Sequence, residues 1–220
     1  MPSDEPTTPP ANAVLGVRER LLDAAEALFA DHGFNGAPMR DITSKAGTRL
    51  ANVNDQFGSK EALFQEVIAR RARQINADRL ERLAHVPASR SKAGEIQSLV
   101  EAFAAPLLAR SMESQGWRNY LRLLAQLTNT RSLVLALIAG HFNPIGETFT
   151  ERIGQVFPGM SRRQRLNAYQ LMVSSAMAVF ADNGRIDVMS EGLEKSCEFA
   201  AHYEDMVSFV VGGILRLARQ

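Results

Sequence analysis

Apolar residues recur three and four positions apart along almost the whole chain after Val14, and no stretch alternates apolar with polar residues. The fold class read from this pattern is all-α. Leu21, Leu22, Ala25, Leu28 and Phe29 make one stripe of a first helix over 14–32, which Gly33 ends because glycine accepts the positive φ of a C-cap. Pro38 suits the first turn of a short second helix that carries Ile42 and stops at Ala46, before Gly47. Leu50, Val53 and Phe57 supply the inward face of a third short helix closed by Gly58, and Ser59 offers an N-cap for a long fourth helix over 60–84. Pro87 and the serine-rich stretch 88–91 interrupt that helix, and further helical patterns cover 94–112, 117–127, 132–157, 162–182 and 191–219. Pro158-Gly159 and Asn183-Gly184 mark tight connections, while Pro144 is expected to kink or divide the helix around it. No internal repeat is visible.

Two short helices joined at Gly47, with a third bracing them, form a unit whose second short helix can enter a DNA major groove. The residues that carry the motif are Arg20-Leu-Leu-Asp-Ala-Ala-Glu-Ala-Leu-Phe29, Gly33-Phe34, Arg40-Asp41-Ile42, Lys45-Ala46-Gly47 and Phe57-Gly58-Ser59-Lys60-Glu61-Ala62-Leu63. Over about 18–67 they resemble the N-terminal signature of TetR-type transcriptional regulators. The resemblance implies a homodimer that binds a double-stranded DNA operator and a small-molecule effector, without cofactor or catalysis. The layout it predicts is a disordered tail over 1–12, a helix-turn-helix domain over 13–60, a connecting helix over 61–86 and an effector-binding and dimerisation domain over 92–220.

In such regulators the third helix reads DNA, which places Thr48, Arg49, Asn52, Asn54, Asp55 and Gln56 toward the duplex. Periodicity agrees, since with Ala46, Leu50, Val53 and Phe57 inward, Arg49, Asn52 and Gln56 fall on the opposite side. Arginine forks onto guanine and asparagine onto adenine, so Arg49 and Asn52 are the candidates for base readout. Lys60, beside the free amides that open helix four, suits a phosphate, and Arg40 suits another. The competing assignment is a merely solvated polar face. Asn54, Asp55 and Gln56 stand where the family usually carries an aromatic pair followed by histidine, and an aspartate there repels phosphate. That departure sustains an alternative function, a ligand- or partner-binding helical dimer with degraded DNA binding.

Phe103, Trp117, Tyr120, Phe142, Phe149, Met172, Met177 and Phe180 supply large or adaptable apolar volume in the C-terminal region. The resemblance implies an effector cavity there, making these residues candidates for its walls, with ordinary core packing as the alternative. The last helix, with Phe209 and Gly212-Gly213, and the segment 142–145 resemble members with acyl-type effectors. The expected activity is that of a repressor released from its operator by a small apolar or acyl-type effector. Arg118, Arg122 and His141 are candidates to orient an acidic head group. Leu171, Ser174, Ser175 and Ala178, with Val207, Val210, Val211 and Ile214, give the last two long helices broad faces suited to a four-helix bundle between subunits.

Composition narrows the classes further. Among 220 residues, 45% hydrophobic, no apolar stretch reaches the ~20 residues that a bilayer span requires. Residues 1–12 contain no apolar core of a signal peptide, and one cysteine, Cys197, forms no intrachain disulfide, so a cytoplasmic address is expected. Cys197 falls at the start of the predicted last helix, where it reads as a small packing residue. His32, His85, His141 and His202 show no metal-ligand spacing with one another or with Cys197. No Gly-x-Ser-x-Gly elbow or phosphate-cradling glycine loop supports an enzyme. Net charge is +1, so any DNA-binding charge has to be local.

Overall fold

The computed structural model describes residues 16–86, 89, 91–128 and 133–219. The predicted tail and the linker residues Pro87, Ala88 and Arg90 lie outside the described residues. The described residues form ten helices and no strand: α1 Val17–Gly36, α2 Met39–Lys45, α3 Leu50–Phe57, α4 Lys60–Ala84, α5 Lys92–Glu113, α6 Gln115–Leu127, α7 Leu133–Val156, α8 Arg162–Phe180, α9 Arg185–Met189 and α10 Phe199–Leu217. They divide into two compact units, Met1–Val67 and Ile68–Gln220, with the division inside α4.

The first unit closes around Leu21, Leu22, Phe29, Ile42, Val53, Leu63 and Phe64, all buried. Phe29, Phe34 and Phe64 meet edge-on or tilted, with ring centroids 5.0 to 6.0 Å apart. Phe34 reaches this cluster because Gly33 (φ 68°, ψ 175°) breaks α1 where the sequence placed its end, and a final turn continues beyond the break. Arg20 Nε donates to the Ala46 carbonyl at 3.0 Å, tying α1 to the C-terminal end of α2. Leu50, expected inward, is 51% exposed, because α3 begins with it and its first turn clears the core.

The second unit packs α10 against α5 and α8, with α6 and α7 also meeting α5 and α8. Ser91, Ser114 and Ser161 cap α5, α6 and α8, the last in a reciprocal capping box with Gln164. Pro144 neither ends nor divides α7, and Pro106 lies inside α5. A proline removes one rung of the helix ladder and loosens the carbonyls one turn upstream. In both helices the carbonyl three residues before the proline gains a side-chain donor from α4. Asn76 Nδ2 donates to the His141 carbonyl at 2.7 Å, and Arg79 Nε to the Phe103 carbonyl at 3.0 Å.

Three expectations for the C-terminal end are corrected. The helix predicted over 191–219 starts only at Phe199, and the short α9 precedes it. Glu191 and Gly192 adopt positive φ, and the Asp187 carboxylate accepts the Ser196 amide at 2.8 Å, folding the segment back on itself. Cys197 consequently sits exposed before the helix rather than packed within it. Val207, Val210 and Ile214, expected at a subunit interface, are instead buried in their own chain. The outward face of α10 carries Phe209, 76% exposed, with Gly212 and Gly213, while α8 shows Leu166 and Leu171.

Candidate nucleic-acid interface and ligand cavity

The turn between α2 and α3 is set by Gly47, whose φ of +61° lies in the left-handed region. Its amide donates to the Ser44 carbonyl at 3.1 Å, and that of Thr48 to the Thr43 carbonyl at 3.0 Å, so the chain leaves α2 already reversed. Arg49 is the extended residue before α3, and its carbonyl accepts the Asn52 amide at 3.1 Å. Arg49, Asn54, Asp55 and Gln56 are exposed, as is Arg40 on α2, where its Nε lies 3.2 Å from Asp41 Oδ1. Asn52 is half-buried, and its Nδ2 donates to Thr48 Oγ1, so each holds the other in place. These seven predicted residues therefore occupy one continuous stretch of α2, the turn and α3.

Lys60 differs from them. Its ammonium lies over the Phe34 ring, 4.8 Å from the centroid, and 6.0 Å from that of Phe29. Burial lowers its pKa, against a smaller raising effect of Glu61. Ser59 caps α4 as expected, its hydroxyl accepting the Ala62 amide at 3.1 Å.

The second unit contains a cavity of about 860 Å³ walled by α4 to α8, within the ~300–1,000 Å³ typical of small-molecule sites. Of the predicted wall residues, Phe103 and Phe142 line it, as does Met177. Trp117, Tyr120, Phe149, Met172 and Phe180 are buried side chains that do not line it. None of the three predicted head-group residues lines it either. Arg118 donates to Gln115 and the Ser111 carbonyl, Arg122 to Asn119, and His141 borders a separate, smaller cleft.

The cavity's polar wall comes from residues that periodicity did not single out, among them Arg79, Arg165, Tyr169, Glu147, Glu151 and Arg162. Arg79 left one legible signal: it follows Ala72 and Ile75 and precedes Leu83 at helical spacing, a cation on an apolar stripe. It is 3% exposed, its guanidinium carbon 3.9 Å from the Phe103 ring centroid, and its Nη1 donates to Asn76 Oδ1 at 3.1 Å. Burial draws its pKa down to about 10, leaving it charged at neutral pH. Tyr169, whose ring meets Phe103 edge-on at 5.9 Å, has its hydroxyl pKa raised by burial, against a lowering effect of Arg79.

Among the described residues no group of three or more His, Cys, Asp and Glu side chains could hold a metal ion, and no helix is long and apolar enough to cross a membrane.

A two-helix turn with an exposed polar second helix, preceding a larger helical unit in the sequence, defines a helix-turn-helix protein. The chain belongs to the TetR family: residues 21–67 match the family described as bacterial regulatory proteins, tetR family, and residues 101–213 match the tetracyclin repressor-like C-terminal domain. It is thus a DNA-binding transcriptional regulator, from a family of regulators rather than of enzymes. It is similar to the HTH-type transcriptional regulator UidR of Escherichia coli K12, 25% identical over 199 residues that cover 90% of this chain and 92% of UidR. The repressor KstR2 of Rhodococcus jostii is 37% identical over 65 residues, 28% of this chain and 32% of that protein. Salmonella enterica GusR shares the fold with a TM-score of 0.58 at 19% identity, covering 98% of this chain and all of that one. FadR from Bacillus subtilis, solved in complex with stearoyl-CoA, does so with a TM-score of 0.56 at 13% identity, covering 89% and 98%.

Proposed function

We propose that this protein is a homodimeric repressor released from its operator when a small apolar or acyl-type molecule occupies the C-terminal cavity. The observation that carries the reading is the cavity of about 860 Å³ in the same chain as a helix-turn-helix. Control of this kind requires only that the ligand bind one arrangement of the dimer better than the other. Arg49 and Asn52 would read base edges, with Arg40, Thr48, Asn54 and Gln56 positioning the phosphate backbone and Lys60 at the edge of that surface. Dimerisation through α8 and α10 is supported by their outward apolar residues, Leu171 and Phe209, which are 62% and 76% exposed. A Cβ added at Gly212 or Gly213 would meet nothing within 4 Å in its own chain, leaving that face open to another backbone.

Genome-wide capture of DNA by the purified protein tests the reading, followed by mobility shifts on the captured site. The expected result is a pseudo-palindrome with half-sites about one helical turn apart, bound by a dimer. Phe209→Glu should give monomers in sedimentation and lose the operator. Exposed Asp55, where the family usually has an aromatic, favours the second reading of a ligand-binding dimer with weakened DNA contact. Absence of any enriched DNA, with the dimer intact, would select it.

A further inference from the structure

Arg79 is a buried cation that no carboxylate of the described residues pairs with. Its Nε and Nη1 are spent on the Phe103 carbonyl and Asn76, its face lies on the Phe103 ring, the residue lines the cavity, and no described residue hydrogen-bonds its Nη2. The nearest acidic side chain on α4, Asp78, is instead paired with Arg110 at 2.7 Å. A guanidinium taken out of water without an anion is costly, and a fork with one free edge is shaped to receive a carboxylate. A second cation of the same cavity supports this: Arg165 Nε is buried with no hydrogen-bond partner among the described residues. Two glycines of α7 make room for the polar wall. A Cβ at Gly154 would come within 2.4 Å of Arg165 Nη1, and one at Gly146 within 3.0 Å of Tyr169 Cε1. The rest of the wall is mixed: Leu124, Leu127, Phe142 and Val173 are apolar, whereas Glu147, Glu151 and Arg162 add charge away from the Arg79 contacts.

Resting on the effector reading of the same cavity, the geometry points to a ligand that is an amphipathic carboxylate, its acid group seated on Arg79 Nη2 beside Tyr169 and its apolar body along α6 to α8. Selectivity for acid over neutral head groups is then built into the fold, because a neutral ligand leaves the buried cation uncompensated.

Calorimetric titration with decanoate and 1-decanol tests the assignment, since the two probes share a chain and differ in head group. The wild-type protein should bind decanoate about 10- to 100-fold tighter than decanol, the range for a hydrogen-bonded charged group. Arg79→Met should abolish that preference and leave decanol binding in place; Arg79→Lys should keep part of it. If Arg79→Met does not fold, the wild-type pair and Arg79→Lys still decide. Equal binding of acid and alcohol by the wild type, or an unchanged preference in Arg79→Met, overturns the Arg79 seat while leaving the cavity as the effector site. Binding of neither probe, or undiminished binding of both after Val173→Trp fills the cavity, overturns the effector reading and the seat with it.

Discussion

Replacing Lys60 with methionine keeps an apolar stem over the Phe34 ring and removes only the charge. The ammonium sits 4.8 Å from the Phe34 centroid and 6.0 Å from that of Phe29, at a half-buried site, so the cation–π contribution should be about 0.5–1 kcal/mol. A lysine held against phosphate has another signature. Its loss lowers the slope of log K against log salt by roughly 0.9 per contact, hence about 1.8 for two subunits. We expect the packing duty to dominate, with opening of α1 easier by about 0.5–1 kcal/mol and a salt slope changed by less than about 0.9. Tryptophan fluorescence cannot follow this, because the only tryptophan, Trp117, lies in the second unit. Hydrogen exchange of the α1 amides and mobility shifts at four or more salt concentrations are the measurements required. Unchanged exchange together with a slope reduced by about 1.8 would refute the argument and return Lys60 to the phosphate backbone.

Asp55→Asn should tighten binding to operator and random duplexes alike, by roughly threefold per subunit at low salt if a phosphate lies about 7 Å away, and by less as salt screens the charge. Tightening on random DNA with loss on the operator would instead make Asp55 a reader of cytosine. Hydrogen bonds from Ser196 hold the Asp187 carboxyl below its ordinary value of 3.8, so their contribution is present above that pH and is lost as pH falls through the lowered value. Asp187→Ala should therefore speed amide exchange over 185–198 at neutral pH, and unchanged exchange would mean that the segment is held otherwise. Gly146→Ala adds a Cβ 3.0 Å from Tyr169 Cε1, which should turn that ring into the cavity and weaken decanoate binding with DNA affinity unchanged. Undiminished decanoate binding would show that the ring has room to move aside.

Periodicity and punctuation in the chain were enough to determine the helix-turn-helix. Gly33, Gly47 and Gly58 adopt positive φ where the chain must break, and α3 and α4 run from Leu50 to Phe57 and Lys60 to Ala84, as their apolar stripes and caps predict. Such signals act over three or four residues and survive without tertiary context. The family signature is of the same local kind. The ligand cavity is not. Which large apolar side chains pack and which face empty space depends on how five helices meet, so Phe103, Phe142 and Met177 line the space while Trp117, Tyr120, Phe149, Met172 and Phe180 do not. Whether a valine of α10 faces its own core or outward is likewise a matter of helix rotation: Val207 and Val210 turn inward and Phe209 outward. The apolar stripe through Ala72, Ile75 and Leu83 marks Arg79 as inward-facing, but what it meets there is decided only when α5 and α7 are placed beside it. Pro106 and Pro144 loosen those two helices, Asn76 and Arg79 bind the carbonyls three residues before them, and a charged side chain becomes part of a buried wall. The stripe that buries Arg79 and its bond to Asn76 are local to α4, whereas the carbonyls that Arg79 and Asn76 bind lie 24 and 65 residues away and come within reach only once the helices pack.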